Sequence, residues 1–268
     1  MKPDIVLAEV VSNTELASGI FLQKLKAPYL AKNACPGSFV MVQPDNGTDL
    51  LLRRPFTISG VSGDMVEVLF QVMGRGTDIM SKWEPGRVVD ILGPLGNGFS
   101  ISVDLKNAYL VGGGMGIAPL LFLARNLNAK GVDVKIFFGA RSVSESITLE
   151  DLNLDRCDLY YSTEDGSKGC KGLVTEQLNN ILKSDSANGF INSSIFCCGP
   201  LKMLEIISEY ASSLNILCQV SLEEKMACGV GACLGCVTCT NGDKYKRVCV
   251  DGPVFKSTDI IWKKRVEK

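Results

Sequence analysis

Short apolar runs separated by turn-forming clusters fill the first hundred residues. Residues 4–11, 19–25, 38–43, 50–59, 65–72 and 87–92 read as strands. Pro36-Gly37, Asp45-Asn46-Gly47, Ser62-Gly63 and Pro85-Gly86 mark turns between them. One short helix is predicted over residues 77–82. Strands at this spacing predict a small antiparallel β-barrel. From about residue 104 the rhythm changes. Residues 108–111 form a short apolar strand, a glycine run follows, and residues 117–129 show helical spacing. Strands at 132–138, 159–162 and 195–198 then alternate with helices at 173–182 and 202–212. Strand, glycine turn, helix and strand in that order predict an α/β domain with a parallel, doubly wound sheet. The segment from 214 onward is too short for a large core of its own. The expected architecture is multidomain: a barrel over 1–102, an α/β domain over 103–213, and a small C-terminal module over 214–268.

Composition narrows the chemistry. Of 268 residues, 46% are hydrophobic and 21% charged, and the net charge is −1, so no basic field exists to attract nucleic acid or anionic lipid. The chain has no histidine. That removes a Ser-His-Asp triad, a Rieske centre, histidine-held haem and most zinc hydrolase sites. Chemistry must come from cofactors, carboxylates or thiolates. No apolar run reaches the ~18 residues of a membrane span, and the N-terminus lacks the apolar core of a signal peptide. The expected location is therefore cytoplasmic, where thiols stay reduced and clustered cysteines point to metal rather than disulfides.

Five of the eleven cysteines fall between residues 228 and 249. Cys228, Cys233, Cys236 and Cys249 are spaced C-x4-C-x2-C-x12-C, and the first three match the plant-type [2Fe–2S] ferredoxin spacing. Gly229 and Gly231 allow the backbone to wrap closely round such a cluster, and Asn241-Gly242 predicts a hairpin that returns the fourth thiolate. A structural zinc site is the alternative, since Cys233, Cys236 and Cys239 lie three apart, although the x4 gap fits zinc poorly. Cys239 competes with Cys249 for the fourth position; the reading here leaves Cys239 as a free thiol. Cys35, Cys157, Cys170 and Cys218 stand apart and read as ordinary thiols.

Gly112-Gly113-Gly114-Met115-Gly116 sits between a strand and a helix. There glycines let the backbone approach a pyrophosphate, and a helix start stabilises its charge. It is not the G-x-G-x-x-G of the Rossmann fold, and a purely structural turn is the alternative. Arg141 and the pair Glu164-Asp165 lie where an adenosine ribose could be read; an acidic pair favours NADH over NADPH, unless it is only a solvated turn.

Two arginines interrupt the apolar stretch around Leu50-Leu51-Leu52-Arg53-Arg54-Pro55-Phe56-Thr57. Burying guanidinium groups demands an anion, and a cofactor diphosphate suits their fork. Phe56 can stack on a flat ring and Thr57 can hydrogen-bond a ring nitrogen. A basic pair on an exposed edge strand is the alternative.

Taken together, several motifs resemble the ferredoxin–NADP reductase superfamily. They are Arg53-Arg54-Pro55-Phe56-Thr57-Ile58, Gly74-Arg75-Gly76-Thr77, Leu92-Gly93-Pro94-Leu95-Gly96-Asn97-Gly98-Phe99, the glycine run through Pro119, Cys198-Gly199-Pro200 with Met203, and Ser221-Leu222-Glu223-Glu224-Lys225-Met226-Ala227-Cys228-Gly229-Val230-Gly231-Ala232-Cys233. Within that superfamily the chain is similar, over residues 3–262, to the electron-transfer subunits of NAD-dependent (type B) dihydroorotate dehydrogenases. The resemblance implies an FAD-binding barrel in which Arg53, Arg54, Pro55, Phe56 and Thr57 line the flavin. Leu69, Phe70 and Gln71 would contact it, and Gly76 and Thr77 would hold its diphosphate. It implies NAD(H) bound by the α/β domain with Cys198, Gly199 and Pro200 near the nicotinamide, and a [2Fe–2S] cluster in the C-terminal module. The implied partner is an FMN-containing dihydroorotate dehydrogenase catalytic subunit, in a heterotetramer of two of each. Electrons would pass from FMN through the cluster and FAD to NAD⁺ in pyrimidine (UMP) biosynthesis. Related subunits of NADH-dependent ferredoxin:NADP oxidoreductase or sulfite reductase are the alternative, and a zinc-stapled binding module is a remoter one. Phe56 stands where many superfamily members carry tyrosine, and Cys197 is an additional thiol.

Overall fold

The computed structural model describes residues 2–45, 47, 50–152, 154–186, 189–242 and 244–262. Six strands close a barrel: β1 (Asp4–Ala17), β2 (Ile20–Lys26), β3 (Phe39–Val42), β4 (Arg54–Ser62), β5 (Met65–Gln71) and β6 (Val88–Leu95). Their order is β1-β2-β5-β4-β3-β6, β1 pairs back to β6, and every pairing is antiparallel. The period-2 pattern puts Ala8, Val10, Leu25, Val40, Ile58 and Val68 into the barrel core. A six-residue helix α1 (Pro28–Asn33) joins β2 to β3, and α2 (Arg75–Ser81) follows β5.

A seven-stranded sheet forms the second layer system. It contains β7 (Asn107–Gly113), β8 (Asp133–Ala140), β9 (Cys157–Thr163), β10 (Cys170–Lys171), β11 (Ser193–Cys198), β12 (Leu217–Ser221) and, after the β13–β14 hairpin described below, β15 (Val254–Lys256). The order is β10-β9-β8-β7-β11-β12-β15, parallel except for β15. Strand β7 shows why both faces are covered. Ala108 and Leu110 join one apolar cluster with helix α3 (Ala118–Ala129), while Tyr109 and Val111 join another with α4 (Val174–Asp185) and α5 (Leu201–Ser213). A doubly wound α/β domain beside an antiparallel barrel is the fold class expected from the sequence. The sheet also draws β12 and β15 from beyond residue 213.

After β12 the chain crosses to the barrel, wraps through residues 222–236, and forms the hairpin β13 (Val237–Thr240) and β14 (Lys244–Arg247). Cys236, Val248 and Cys249 share a buried cluster with Phe39, Met41 and Leu95 of the barrel and with α5. Among the described residues this small module has no core of its own; the two larger units supply it. No described helix is long and apolar enough to cross a membrane.

Candidate functional site

The strand order turns outward in opposite directions on either side of the β7–β11 boundary. Ligands in open α/β sheets bind outside the carboxyl ends of the strands at such a switch point. The two segments that follow these strands are Gly112–Gly116 and Cys198-Gly199-Pro200, and they pack against each other. A Cβ on Gly116 would lie 2.2 Å from the Cys198 carbonyl oxygen, so only glycine permits the approach. A cleft of about 560 Å³ opens here. Gly113, Gly114, Gly139, Ala140, Arg141, Glu164, Pro200 and Met203 are among its walls. A smaller one of about 330 Å³, between the two segments, is lined by Gly113, Gly116, Gly199 and Pro200. Gly112 is buried behind them against Ile117. Of the acidic pair, Glu164 faces the larger cleft. The Asp165 carboxylate instead accepts hydrogen bonds from Ser167 N at 2.9 Å and Ser167 Oγ at 2.6 Å. Glu145 and Lys202 also line this cleft and carried no sequence signal.

A second cleft of about 430 Å³ lies between the barrel and the sheet. Strand β4 contributes Pro55, Phe56 and Thr57, β5 contributes Leu69, Phe70 and Gln71, and Thr77, Ala118, Pro119 and Cys198 close it. Phe56 stands edge-on to Phe70, with centroids 5.8 Å apart. The volume, the aromatic wall and the polar Thr57 and Gln71 fit a flat heteroaromatic ring. Arg53, Arg54 and Gly76 stand beside this cleft rather than in its lining. The sequence reading placed both arginines in a strand and in need of an external anion. In the structure β4 begins at Arg54, and Arg53 already pairs with Asp90. Arg54 donates only to the Leu52 and Arg53 carbonyls and makes no ion pair among the described residues. Its stem passes over Gly76, where a Cβ would sit 3.6 Å from Arg54 Cγ. Its charge is therefore open to an anion at the start of α2. Thr77 Oγ1 accepts from Met73 N and Gly74 N, which fixes that turn.

The segment after β12 supplies cleft residues that sequence reasoning did not single out as lining: Ser221, Leu222, Glu223, Glu224 and Met226. Glu223 opens onto the cleft, yet protein crowds its carboxyl and burial raises its pKa. Cys198 is held as a thiol, first by burial and then by the charge of Glu223, against a hydrogen bond from Ser221. Met115, at the glycine turn, touches all three clefts. These contacts arise between elements far apart in the chain, so no local pattern encodes them.

Two residues beyond Met226 the thiols begin. Cys233 N donates to Cys228 Sγ at 3.4 Å, Gly235 N to Cys233 Sγ at 3.4 Å, and Cys249 N to Cys236 Sγ at 3.5 Å. Burial works to raise the Cys228 thiol, but the N–H groups of Cys233, Val230 and Ala232 bring it down to about 6. Burial and then Cys236 push Cys249 up to about 12. Gly229 has φ +70 and approaches Met41, which a Cβ would meet at 2.6 Å. The donors thus fall into two pairs, Cys228 with Cys233 and Cys236 with Cys249. No group of three or more donors closes round one ion position among the described residues. All-thiolate donors in two pairs, with amides aimed at sulfur, fit a two-iron cluster better than a single zinc ion. Cys239 lies on β13 opposite Tyr245 and takes part in none of these contacts.

Comparison with known proteins adds to this geometry. Residues 223–261 match the family model for the iron–sulfur cluster binding domain of dihydroorotate dehydrogenase B. A dihydroorotate dehydrogenase B (NAD(+)) electron transfer subunit from Caldanaerobacter subterraneus subsp. tengcongensis is 38% identical, covering 95% of this chain and 98% of the relative. One of the same name from Fusobacterium nucleatum subsp. nucleatum is 34% identical, covering 94% and 96%. Among solved structures, an NADH-dependent reduced ferredoxin–NADP oxidoreductase studied for flavin-based electron bifurcation aligns with TM-score 0.84 and 28% identity, covering 97% of this chain and 91% of that one. A ferredoxin reductase of carbazole 1,9a-dioxygenase shares the fold with TM-score 0.68 and 18% identity, over 81% of this chain and 67% of that one.

Proposed function

The chain belongs to the family of dihydroorotate dehydrogenase B (NAD(+)) electron transfer subunits, and from that premise we propose how its residues divide the work. It is an oxidoreductase component that carries electrons between a catalytic dihydroorotate dehydrogenase subunit and NAD(H), with FAD and a [2Fe–2S] cluster as cofactors. When bound, FAD converts hydride into single electrons, and the cluster carries them one at a time.

In our assignment the barrel of residues 1–102 holds FAD. Phe56 and Phe70 wall the ring, Thr57 and Gln71 orient its polar edge, and Arg54 with Gly76 and Thr77 holds the diphosphate. Arg53, tied to Asp90, keeps the start of β4 in place, and Leu69 and Pro55 exclude water from the ring. The α/β unit of residues 103–213 takes NAD(H) at Gly112, Gly113, Gly114 and Gly116, with Cys198, Gly199 and Pro200 forming the floor under the nicotinamide. Kept protonated, Cys198 is a neutral polar wall and not a nucleophile. Glu164 favours an adenosine ribose that carries hydroxyls over one that carries a phosphate. Cys228, Cys233, Cys236 and Cys249 of the 214–268 unit hold the cluster.

One observation carries this reading. Met226 lines the flavin-sized cleft, and Cys228, two residues on, starts the thiol set. Two residues span at most about 7 Å, so a ring in the cleft and a cluster on the thiols would be near neighbours. In and beside the cluster loop, Val230, Leu234 and Tyr245 are exposed, with Leu234 at 59% and Tyr245 at 71%. We assign that apolar rim to the catalytic subunit. The subunit would contain FMN and assemble with this chain as two of each, in the cytoplasm.

Reconstitution tests the proposal. Dihydroorotate should reduce NAD⁺ only when this chain and an FMN-containing catalytic subunit are mixed, with activity saturating at one to one. Dihydroorotate oxidation by this chain alone would overturn it. Activity with ferredoxin and NADP⁺ but not with the catalytic subunit would favour the oxidoreductase to which the fold is also similar.

A further inference from the structure

The two units that bracket the flavin-sized cleft are joined by a polar contact at some distance from it. Helix α3 starts at the cleft, where Ala118 and Pro119 are part of the wall. Seven residues on, about 10 Å along the axis, stands Arg125. Arg125 Nη1 donates to Glu67 Oε2 on β5 at 2.8 Å and to the Ser59 carbonyl on β4 at 3.3 Å. Its Nη2 donates to the Leu152 carbonyl at 3.0 Å. Both partners are largely covered, Arg125 being 26% and Glu67 12% exposed.

Sequence and register make room for this contact. The β4–β5 ladder is irregular between Ile58 and Gly60, which leaves the Ser59 carbonyl outside the regular pairing. Gly60 lies directly under the guanidinium. A Cβ there would come within 2.2 Å of Arg125 Nη1 and 2.4 Å of Glu67 Oε2. Bulge, glycine, carboxylate and arginine thus form one built junction. Lys24 Nζ, 3.8 Å from Glu67 Oε1, completes it.

The strands that Arg125 grips are the strands that wall the cleft. Strand β4 offers Pro55–Thr57 to the cleft and Ser59 to Arg125, and β5 offers Leu69–Gln71 to the cleft and Glu67 to Arg125. On the opposite side α3 is continuous with the Gly112–Gly116 turn. We infer that Arg125 is a positioning residue for hydride exchange: by pinning α3 to β4 and β5 it sets the separation between the flavin-binding wall and the nicotinamide-binding turn. Hydride transfer needs its reacting atoms, a nicotinamide ring carbon and a flavin ring nitrogen, about 3–3.5 Å apart, so a slip of this hinge of even 1 Å is costly. Lysine replaces the arginine only in part, because a point ammonium cannot reach three acceptors in two directions. The inference rests on the NAD(H)–FAD assignment above.

The test uses the full chain with its cofactors, comparing wild type, R125Q, R125K and E67Q. A control, K135M, breaks the Lys135–Asp185 ion pair at the opposite, amino-terminal end of the sheet. Anaerobic stopped-flow follows flavin reduction by NADH and the long-wavelength charge-transfer absorbance of stacked nicotinamide and reduced flavin. FAD content and melting temperature are measured alongside. R125Q should slow flavin reduction at least tenfold and weaken the charge-transfer absorbance while keeping FAD, with R125K and E67Q intermediate. K135M should lose stability without either change. If R125Q and E67Q melt lower yet reduce flavin and form the charge-transfer complex like wild type, Arg125 is only a structural tie and the inference falls. If NADH fails to reduce the flavin of the wild type, it is the cofactor assignment that falls.

Discussion

Substituting Gly116 with alanine probes the junction on which the nicotinamide site depends. The new Cβ would lie 2.2 Å from the Cys198 oxygen, 2.5 Å from its carbonyl carbon and 2.7 Å from Gly199 N, all backbone atoms. An ordinary carbon–oxygen contact is about 3.3 Å, so a gap of about 1 Å must open. Strand β11 cannot retreat readily, being paired on both sides by β7 and β12. The Gly112–Gly116 turn and the first turn of α3 must move instead, and they wall all three clefts. Overpacking of this kind costs about 1–3 kcal/mol, or a fall in melting temperature of roughly 3–10 °C. A displacement near 1 Å at a reacting centre costs on the order of a hundredfold in rate. The assay is anaerobic stopped-flow reduction of flavin by NADH on the full chain. G116A should be slower by about a hundredfold while retaining FAD, since the barrel strands are untouched. G114A is the control: Gly114 has φ +53 but open space around its Cβ position, so it should cost about 1 kcal/mol of stability and less than tenfold in rate. If G116A reduces flavin within threefold of wild type, the tight junction does not govern nicotinamide placement.

Other outcomes follow from the same geometry. C249A should abolish the cluster's visible absorbance and iron content, whereas C239A should leave both intact; iron analysis of the purified variants checks this. R54Q should weaken FAD retention by tenfold or more, read by fluorescence titration of the apoprotein, because Arg54, beside Gly76, makes no ion pair among the described residues. Asp185 resists the effect of partial burial because Lys135 at 2.7 Å and Tyr109 at 2.9 Å hold its carboxyl below the usual range. A depressed folded pKa contributes stability above the unfolded value of about 4 and loses it as pH falls through the folded one. D185N should therefore be less stable by about 1 kcal/mol at pH 7, and the gap from wild type should close in acid, as denaturant melts across pH would show.

The fold class was legible because its two halves have different hydrophobic periods, and long strands such as β1 and β8 carry that period clearly. What escaped were elements too short to have one. Helix α1 is six residues with only Leu30 buried, and β15 is three residues that join a sheet built some forty positions earlier. The apolar run Leu50–Leu52 misled in the other direction. Leu51 and Leu52 are exposed, and the strand starts only at Arg54. At the site, the glycine turn and the cysteine spacing could be read because backbone approach and metal ligation restrict residue type locally. Asp90 as the partner of Arg53, and Met115, Glu223 and Glu145 as cleft residues, could not. Each is an ordinary residue whose role comes from an element that the fold brings beside it.

The central claim is that four thiolates hold two irons within electron-transfer reach of a flavin that NADH reduces. It is tested most directly by preparing the full chain anaerobically, assaying iron, sulfide and FAD, and recording low-temperature electron paramagnetic resonance before and after NADH. The account calls for two irons and two sulfides per chain, no signal from the oxidised protein, and a spin-½ signal of a reduced [2Fe–2S] centre once NADH is added. Protein that binds FAD but carries zinc or no metal, or a cluster that dithionite reduces and NADH does not, would contradict it.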